Sequence, residues 1–177
     1  KIQDAYLFSK TGKIEDDHGI ELAKMIAHFP FVNTISSLII THNRLGPEGI
    51  QILTSSPILP KVNYLHLGSN DLGDEGIKIL AHSELFSNVK TLNLECNGVT
   101  AKGAKAIAES PFLTKVEHLN LVDNRVGDEG ALAIANSDNL SNLNYLHLGG
   151  NRVKTEEAKS ALKNSSKLTK LEKLKIF

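Results

Sequence analysis

Histidine, tyrosine and asparagine side chains recur at regular spacing through the middle of this 177-residue chain, with one glutamate among them. Imidazole and carboxylate groups are common zinc ligands and acid–base groups of enzymes, whereas tyrosine and asparagine are common at binding surfaces. The residues whose types and positions could serve these roles are Tyr64, His66, Asn93, Glu95, His118, Asn120, Tyr145 and His147. Their spacing decides which of these kinds of chemistry is open to the chain.

The histidines are too far apart to share a metal ion. Zinc requires three or four ligands within about 2.0–2.3 Å of one point. If the histidines lie on parallel strands about 4.8 Å apart, His66 and His147 are three strands and roughly 14 Å apart. His118 lies closer to His147, but Glu95 is the one carboxylate at a comparable position. The sequence therefore predicts no metal site, and it predicts no cofactor.

No arrangement of nucleophile and base is recognisable in the sequence. The single cysteine, Cys96, follows Glu95, and an acidic neighbour disfavours the thiolate that a nucleophile needs. The GDEG segments lack the lysine of a phosphate-binding loop, and their carboxylates would repel phosphate. We therefore predict that the chain has no catalytic residues and is not an enzyme.

A strict internal repeat sets the spacing of the candidate residues. An asparagine occurs every 27 residues, at Asn43, Asn70, Asn97, Asn124 and Asn151. Each asparagine ends a similar phrase: ISSLIITHN, VNYLHLGSN, VKTLNLECN, VEHLNLVDN and LNYLHLGGN. A period of this size is typical of stacked structural repeats, which usually present a binding surface.

The repeated phrase predicts a short strand with one buried face. Apolar residues five and three positions before each asparagine lie two apart, so they share a strand face. They are Leu38, Leu65, Leu92, Leu119 and Leu146, followed by Ile40, Leu67, Leu94, Leu121 and Leu148. The candidate residues lie six, four and two positions before the asparagine and therefore share the opposite face. The asparagines themselves are predicted to turn inward and satisfy backbone groups of their own and a neighbouring repeat.

The second half of each repeat has the apolar spacing of a helix. The segments are GPEGIQILTSS, GDEGIKILAHS, TAKGAKAIAES, GDEGALAIANS and KTEEAKSALKN. A glycine column predicts close packing of the helix start against its neighbour. It comprises Gly49, Gly76, Gly103 and Gly130. Asp74 and Asp128 lie in the first turn, where a carboxylate interacts favourably with the dipole of its helix.

Two segments carry a family resemblance. VNYLHLGSNDLGDEGIKIL at 62–80 and VEHLNLVDNRVGDEGALAI at 116–134 follow the pattern LxxLxLxxNxLxxxGxxxL. This pattern resembles leucine-rich repeats, and the glycine followed by a full helix is similar to the ribonuclease-inhibitor-like subclass, although a period of 27 is slightly short for it. The resemblance implies an α/β fold, a right-handed βα solenoid in a horseshoe arc. Its parallel strands, which carry the candidate residues, would line the concave face. Its helices would form the convex face.

We predict a single leucine-rich-repeat domain over residues 1–177. Residues 1–34 form an irregular N-terminal cap or first repeat, in which a degenerate strand precedes a helix from roughly Gly19 to Phe29. Residues 35–170 form five repeats of about 27 residues, and residues 171–177 begin a sixth. The start at Lys1 and the stop within a repeat lead us to expect a processed chain or a piece of a longer protein.

Composition restricts the partner and the compartment. The formal net charge is zero, which argues against nucleic-acid binding, and no segment is long and apolar enough to span a membrane. A single cysteine favours a reducing compartment, so we predict a cytoplasmic protein, or one in the host cytoplasm if it is a secreted effector.

Residues 154–177 carry seven lysines and three glutamates. Those lysines protect the exposed end of the solenoid or, alternatively, contact an acidic partner.

We predict a protein–protein interaction module, acting as a monomer, that binds a protein or peptide partner on its concave face. Tyr64 and Tyr145 are the expected anchors, because tyrosine offers a large contact area and a polar tip at low entropy cost. Duplication of the YLHLG segment without selection for binding is the alternative explanation of this pair.

The resemblance also implies an alternative function, regulation of an enzyme such as a small GTPase by inhibition or activation. A further alternative is the recognition part of a bacterial effector or larger sensor protein. Inhibition of a ribonuclease, a basic enzyme, is disfavoured because Glu95 stands almost alone as an acidic group.

Overall fold

Strands and helices alternate along the chain. The computed structural model describes residues 18–28, 35–55 and 62–177. In these residues the strands are β1 (Ser37–Ile39), β2 (Tyr64–His66), β3 (Thr91–Asn93), β4 (His118–Asn120), β5 (Tyr145–His147) and β6 (Lys173–Lys175). The helices are α1 (His18–His28), α2 (Gly46–Ser55), α3 (Gly73–Ala81), α4 (Ala101–Ala108), α5 (Gly127–Ala135) and α6 (Glu156–Lys163), with 3-10 turns at Glu84–Phe86 and Leu113–Lys115.

The strands of the described residues form one six-stranded parallel sheet in the order β1 to β6. Equivalent residues of successive repeats pair with each other, as Leu65 pairs with Leu38 on one side and with Leu92 on the other. Each helix packs against the next, from α1 to α6. The predicted α/β solenoid is therefore confirmed. The boundaries of a cap, five repeats and the start of a sixth stay a prediction.

The apolar columns of the repeat fill a continuous core. Both columns predicted for β1 to β5 are at most 4% exposed. The equivalent residues of β6 are less well covered, since Leu174 is partly buried and Ile176 is 8% exposed. Helix α1 corresponds to the predicted N-terminal helix and adds Leu22, Ala23 and Ile26 to the same core. The degenerate strand predicted before it lies outside the described residues.

Buried asparagines link each repeat to the next. Those that follow β2 to β5 are between 0% and 4% exposed. The Oδ1 atom of Asn97 accepts hydrogen bonds from the backbone N–H groups of Asn70 at 3.0 Å and Leu72 at 3.3 Å, both in the preceding repeat. Its Nδ2 donates to the carbonyl oxygens of Leu67 at 2.8 Å and Glu95 at 3.0 Å. The other asparagines make equivalent contacts, which confirms the predicted structural ladder.

Serine hydroxyls form a second ladder at the ends of the helices, which the repeat pattern does not predict. The hydroxyl of Ser110 donates to the carbonyl oxygen of Ala81 in the preceding repeat and accepts from the N–H of Leu113 at 3.0 Å. Ser137 and Ser165 make the same contacts one and two repeats later. The repeats that contain α3 to α6 are therefore joined to one another by polar groups on both sides of the core.

Asp74 and Asp128 cap the following helix, a role beyond the predicted interaction with the dipoles of their own helices. The Oδ1 of Asp74 accepts the backbone N–H of Thr100 at 2.8 Å, and its Oδ2 accepts the hydroxyl of Thr100 at 2.6 Å, at the start of α4. The Oδ1 of Asp128 accepts the N–H groups of Thr155 at 3.0 Å and Lys154 at 2.7 Å, before α6. These backbone hydrogen bonds hold the pKa of the Asp128 carboxyl below its ordinary value.

The glycine column lets neighbouring helices approach closely. A Cβ atom at Gly130 would lie 3.1 Å from the Cα of Ala101 in α4. A Cβ atom at Gly103 would lie 2.7 Å from a carboxylate oxygen of Asp74 in α3. The predicted packing between repeats is therefore confirmed for α4 and α5, whereas the atoms nearest to Gly49 belong to its own repeat.

Replacing a ladder asparagine by aspartate should destabilise the fold strongly. In Asn124→Asp, a carboxylate oxygen replaces an Nδ2 that donates to the carbonyl oxygens of Leu94 at 3.0 Å and Leu121 at 2.9 Å. Lost hydrogen bonds and a buried unpaired charge should lower the free energy of unfolding by about 3–5 kcal/mol. Urea denaturation followed by circular dichroism measures this loss. The control is Asn136→Asp, which removes a 2.9 Å hydrogen bond to the carbonyl oxygen of Leu132 at an exposed site. Its free energy of unfolding should stay within about 1 kcal/mol of the native value. Equal losses in both variants would contradict the role of the ladder.

Alanine substitutions at two glycines with a positive φ distinguish the cost of backbone strain from the cost of steric crowding. Gly98, with a φ of 69°, and Gly150, with a φ of 74°, occupy the left-handed region, which costs other residues about 1–2 kcal/mol. A Cβ atom at Gly98 would meet nothing within 4 Å, whereas one at Gly150 would meet the carboxylate of Asp123 and lie 3.2 Å from its backbone nitrogen. We expect Gly98→Ala to lower the free energy of unfolding by about 1 kcal/mol. In Gly150→Ala, steric crowding should lower the free energy of unfolding by about 1–3 kcal/mol more than in Gly98→Ala. Equal urea midpoints for the two variants would show that Asp123 moves away without cost.

Candidate partner-binding face

The candidate residues lie on the side of the sheet opposite the core. We call this surface the open face. It comprises Ser37, Ile39, Thr41, Tyr64, His66, Gly68, Thr91, Asn93, Glu95, His118, Asn120, Val122, Tyr145, His147, Gly149, Lys173, Lys175 and Phe177. Strand pairing places Tyr64, Thr91, His118 and Tyr145 in one row and His66, Asn93, Asn120 and His147 in the next. The structure thus brings the eight candidate residues to one surface, where contacts join seven of them into two clusters and Tyr64 belongs to neither.

Amide groups from two neighbouring strands orient Glu95. Its Oε2 accepts hydrogen bonds from the Nδ2 of Asn120 at 2.9 Å and the Nδ2 of Asn93 at 3.3 Å. The Oδ1 of Asn93 in turn accepts the backbone N–H of Glu95 at 3.0 Å. The side chain of Glu95 is 34% exposed. Neutral donors therefore fix the direction of a carboxylate that still reaches solvent.

His66 joins Glu95 from the adjacent strand, and we call His66, Asn93, Glu95 and Asn120 the glutamate cluster. The Nε2 of His66 lies 3.5 Å from the Oε1 of Glu95, but it is buried and makes no hydrogen bond. Gly68 leaves room for both side chains. A Cβ atom there would lie 2.9 Å from the Cγ of Glu95 and 3.0 Å from the Nε2 of His66. A larger residue at position 68 would therefore displace the cluster.

A second group surrounds Tyr145. The centroid of its ring lies 5.9 Å from that of His118 and 6.2 Å from that of His147, which meets it edge-on. Its hydroxyl lies 3.4 Å from the Nδ1 of His147, and the Nζ of Lys175 lies 5.8 Å from the ring centroid. We call Tyr145, His118, His147 and Lys175 the tyrosine cluster. These contacts hold the half-buried Tyr145 in one orientation.

The surroundings of His147 favour its neutral form. Burial lowers the pKa of His147 below the ordinary histidine value, and the charge of Lys175 lowers it further. The more weakly acting Asp123 and Glu95 oppose this shift. Gly149 lies beside the ring, because a Cβ atom there would be 3.1 Å from the Nε2 of His147. The glycine of the repeated Tyr-x-His-x-Gly segment thus accommodates its histidine at both sites.

A shallow depression of about 250 Å³ lies between the two tyrosines. Tyr64 borders it and is 36% exposed, and Tyr145 borders it from the other side. Thr91, Asn93 and His118 also line it. The depression places an exposed aromatic ring, an oriented aromatic ring and polar groups around one space.

Thr91 and Lys175 contribute to this surface, although the sequence analysis did not select them as site residues. Thr91 occupies the same row as the two tyrosines, and that position was the available signal. Lys175 was assigned to the end of the solenoid, either to protect it or to contact an acidic partner. The structure adds its contact with the ring of Tyr145.

The open face carries polar and aromatic groups of several kinds. Among residues 18–28, 35–55 and 62–177, no three His, Cys, Asp or Glu side chains are placed to hold a metal ion. Cys96 is exposed in the turn after β3, with a φ of 52°. No helix in the described part of the chain is long and apolar enough to cross a membrane. The open face offers aromatic rings, amides, one carboxylate and two lysines.

Comparison with known families identifies the repeat. A family model described as Leucine Rich repeat matches residues 33–53, 59–81, 87–108 and 112–135, together just over half of the chain. Among solved structures, an internalin from Listeria monocytogenes is similar at 20% sequence identity, with a TM-score of 0.48. The similarity covers 69% of this chain and 30% of the internalin chain, so this chain spans less than a third of that length. A comparison with curated proteins found no match.

The lowered pKa of His147 predicts a loss of stability in mild acid. In the unfolded chain its pKa returns to the ordinary value of about 6.5, so protons bind the unfolded state more readily. The folded state therefore loses stability as the pH falls from about 7.5 to about 5.5, a range above most carboxyl titration. His147→Gln cannot be protonated, and its free energy of unfolding should fall less over that range. Urea denaturation of both proteins at the two pH values measures the difference, because the other six histidines are common to both. Parallel pH dependence in the two proteins would contradict this prediction.

Proposed function

We propose, because the chain belongs to the leucine-rich-repeat family, that it binds a protein or peptide partner through the open face of its sheet. Solenoids of this kind generally use the extended surface that their stacked repeats create for protein–protein interaction. We also propose that the open face is the concave side of the solenoid. The chain would act by binding rather than by catalysis.

The two tyrosines beside the depression are the observation that supports this proposal most. Tyr64 is exposed and Tyr145 is half-buried, and both border the same space. With three strand spacings between them, their backbones are roughly 14 Å apart. Aromatic anchors near the centre of an interface commonly contribute a large share of the binding free energy. A partner that covers the depression would contact both rings.

The order already present on the open face favours binding. Tyr145 contacts His118, His147 and Lys175, and Glu95 accepts hydrogen bonds from two asparagine amides. Side chains that are fixed before a partner arrives lose little conformational entropy when it binds. The face is therefore organised for contact in the free protein.

Finer features of the protein are part of the same proposal. Helices of eight to ten residues follow strands β1 to β4, which supports the ribonuclease-inhibitor-like subclass. The single cysteine, Cys96, is exposed and free, which supports a reducing compartment, the cytoplasm or a host cytoplasm, where the chain would act as a monomer. Regulation of a partner enzyme such as a small GTPase would use the same face. So would recognition within a bacterial effector or a larger sensor protein.

Removing the anchors should abolish binding. The variant carries Tyr64→Ala, His66→Ala, Tyr145→Ala and His147→Ala, and circular dichroism first establishes that it folds. Native and variant chains are then used to retain proteins from cell extract, which quantitative mass spectrometry identifies. Each truncated hot-spot tyrosine should cost about 2 kcal/mol or more, which is about 30-fold, so removal of both should weaken a true partner's binding by about 1,000-fold if the two losses add. Titration of the recovered protein against both chains measures that ratio.

A matched variant of the helical side provides the control. Gln51→Ala, Lys78→Ala, Lys105→Ala and Glu129→Ala replace four exposed helix residues and leave the open face intact. The partner should bind this variant as it binds the native chain. A partner that binds the open-face variant normally but is lost from the helix variant would place the site on the helices. An enzyme whose turnover changes on binding would make the chain a regulator.

A further inference from the structure

We propose that the open face selects an extended peptide segment that carries a basic side chain and, four or six residues away, an acidic side chain. The basic side chain binds Glu95, and the acidic side chain binds Lys173 and Lys175. This inference rests on the proposed function and specifies the chemistry of the partner.

Glu95 forms the negative end of this surface. It is the single carboxylate among the open-face residues. Its Oε2 accepts from Asn93 and Asn120, whose amides are neutral and leave the negative charge in place. Its Oε1 lies 3.5 Å from His66 without a hydrogen bond between them. A carboxylate offers about four acceptor positions, so the exposed carboxylate can still accept a charge-assisted hydrogen bond from lysine or arginine.

Lys173 and Lys175 form the positive end on β6. Both are exposed, and neither makes an ion pair with a carboxylate of the described residues. The Nζ of Lys175 lies 5.8 Å from the centroid of Tyr145, so the positive charge adjoins a proposed anchor. Each ammonium group can donate three hydrogen bonds, and a partner carboxylate would accept them.

Sheet geometry sets the spacing between the two ends. Glu95 and Lys175 are separated by three strand spacings and by two residues along the strands, which gives about 16 Å between their backbones. An extended peptide advances about 3.3 Å per residue, and side chains an even number of residues apart point to the same side. Residues four or six apart therefore reach both ends. A peptide between them crosses the row of Asn120 and His147, next to Tyr145.

Selection from a random peptide library tests this pairing without knowledge of the natural partner. Twelve-residue peptides displayed on phage are selected on the native chain, on Glu95→Gln, and on the double variant Lys173→Gln, Lys175→Gln. Glu95→Gln retains an acceptor for Asn120 and removes the charge. Peptides selected by the native chain should be enriched in a basic and an acidic residue four or six positions apart. Glu95→Gln should lose the basic preference alone, and the lysine variant should lose the acidic preference alone.

Titration of one selected peptide gives the quantitative test. Each charge variant should bind the peptide at least tenfold more weakly than the native chain. Replacing the peptide charge that contacts the altered residue should then change the affinity of that charge variant little, because this interaction is already absent. Lys78→Gln with Lys105→Gln, two exposed lysines on the helices, is the matched control and should leave the affinity unchanged. Circular dichroism establishes that every variant folds.

The outcomes separate this inference from the proposed function. Selected peptides without paired charges that still require Tyr64 and Tyr145 would overturn the pairing and leave the proposed function intact. Absence of enrichment on the native chain, or equal enrichment on the open-face alanine variant, would overturn both. Light scattering provides a further check. Self-association of the native chain that both charge variants abolish would assign the two ends to a second copy and overturn the peptide as the occupant.

Discussion

The buried asparagine amide is the constraint on which this solenoid depends. At Asn97 one side chain satisfies backbone groups of two successive repeats, so each strand must end at the same place relative to the strand before it. This requirement explains why the spacing from Asn43 to Asn151 never departs from 27 residues. After Asn151 the spacing becomes 28 residues, since Lys173 pairs with Tyr145 and Ser165 makes the contacts of Ser137.

A fixed register gives every open-face residue fixed neighbours. The Tyr-x-His-x-Gly segment occurs twice, but its two copies meet different side chains on the adjacent strand. His66 faces the carboxylate of Glu95, whereas His147 lies near the ammonium group of Lys175. Repetition in sequence therefore produces two different electrostatic environments. The charge difference across the sheet comes from the neighbours of the repeated segment rather than from the segment itself.

The sequence predicted the elements of the fold because two periods operate together. Alternation along each strand assigns Leu92 and Leu94 to the core and Asn93 to the opposite face, and the 27-residue period aligns the strands. Contacts between side chains of different repeats depend on their length and direction, which neither period contains. The carboxylate of Asp74 is the clearest case. It reaches Thr100 across 26 residues of sequence, and the presence of threonine at the start of α4 was the one local signal.

The carboxylate caps do not join every pair of helices. The position of Asp74 and Asp128 is occupied in α4 by Ala101, so α5 begins against the backbone of α4 with Gly130 close to Ala101. The starts of helices α3 and α4, and of helices α5 and α6, are thus joined through carboxylate oxygens, whereas the starts of α4 and α5 meet by van der Waals contact. Strong acid neutralises carboxylates and leaves apolar contact unchanged. At the starts of the helices, protonation therefore weakens the contacts on either side of the α4–α5 pair and leaves the contact within that pair unchanged.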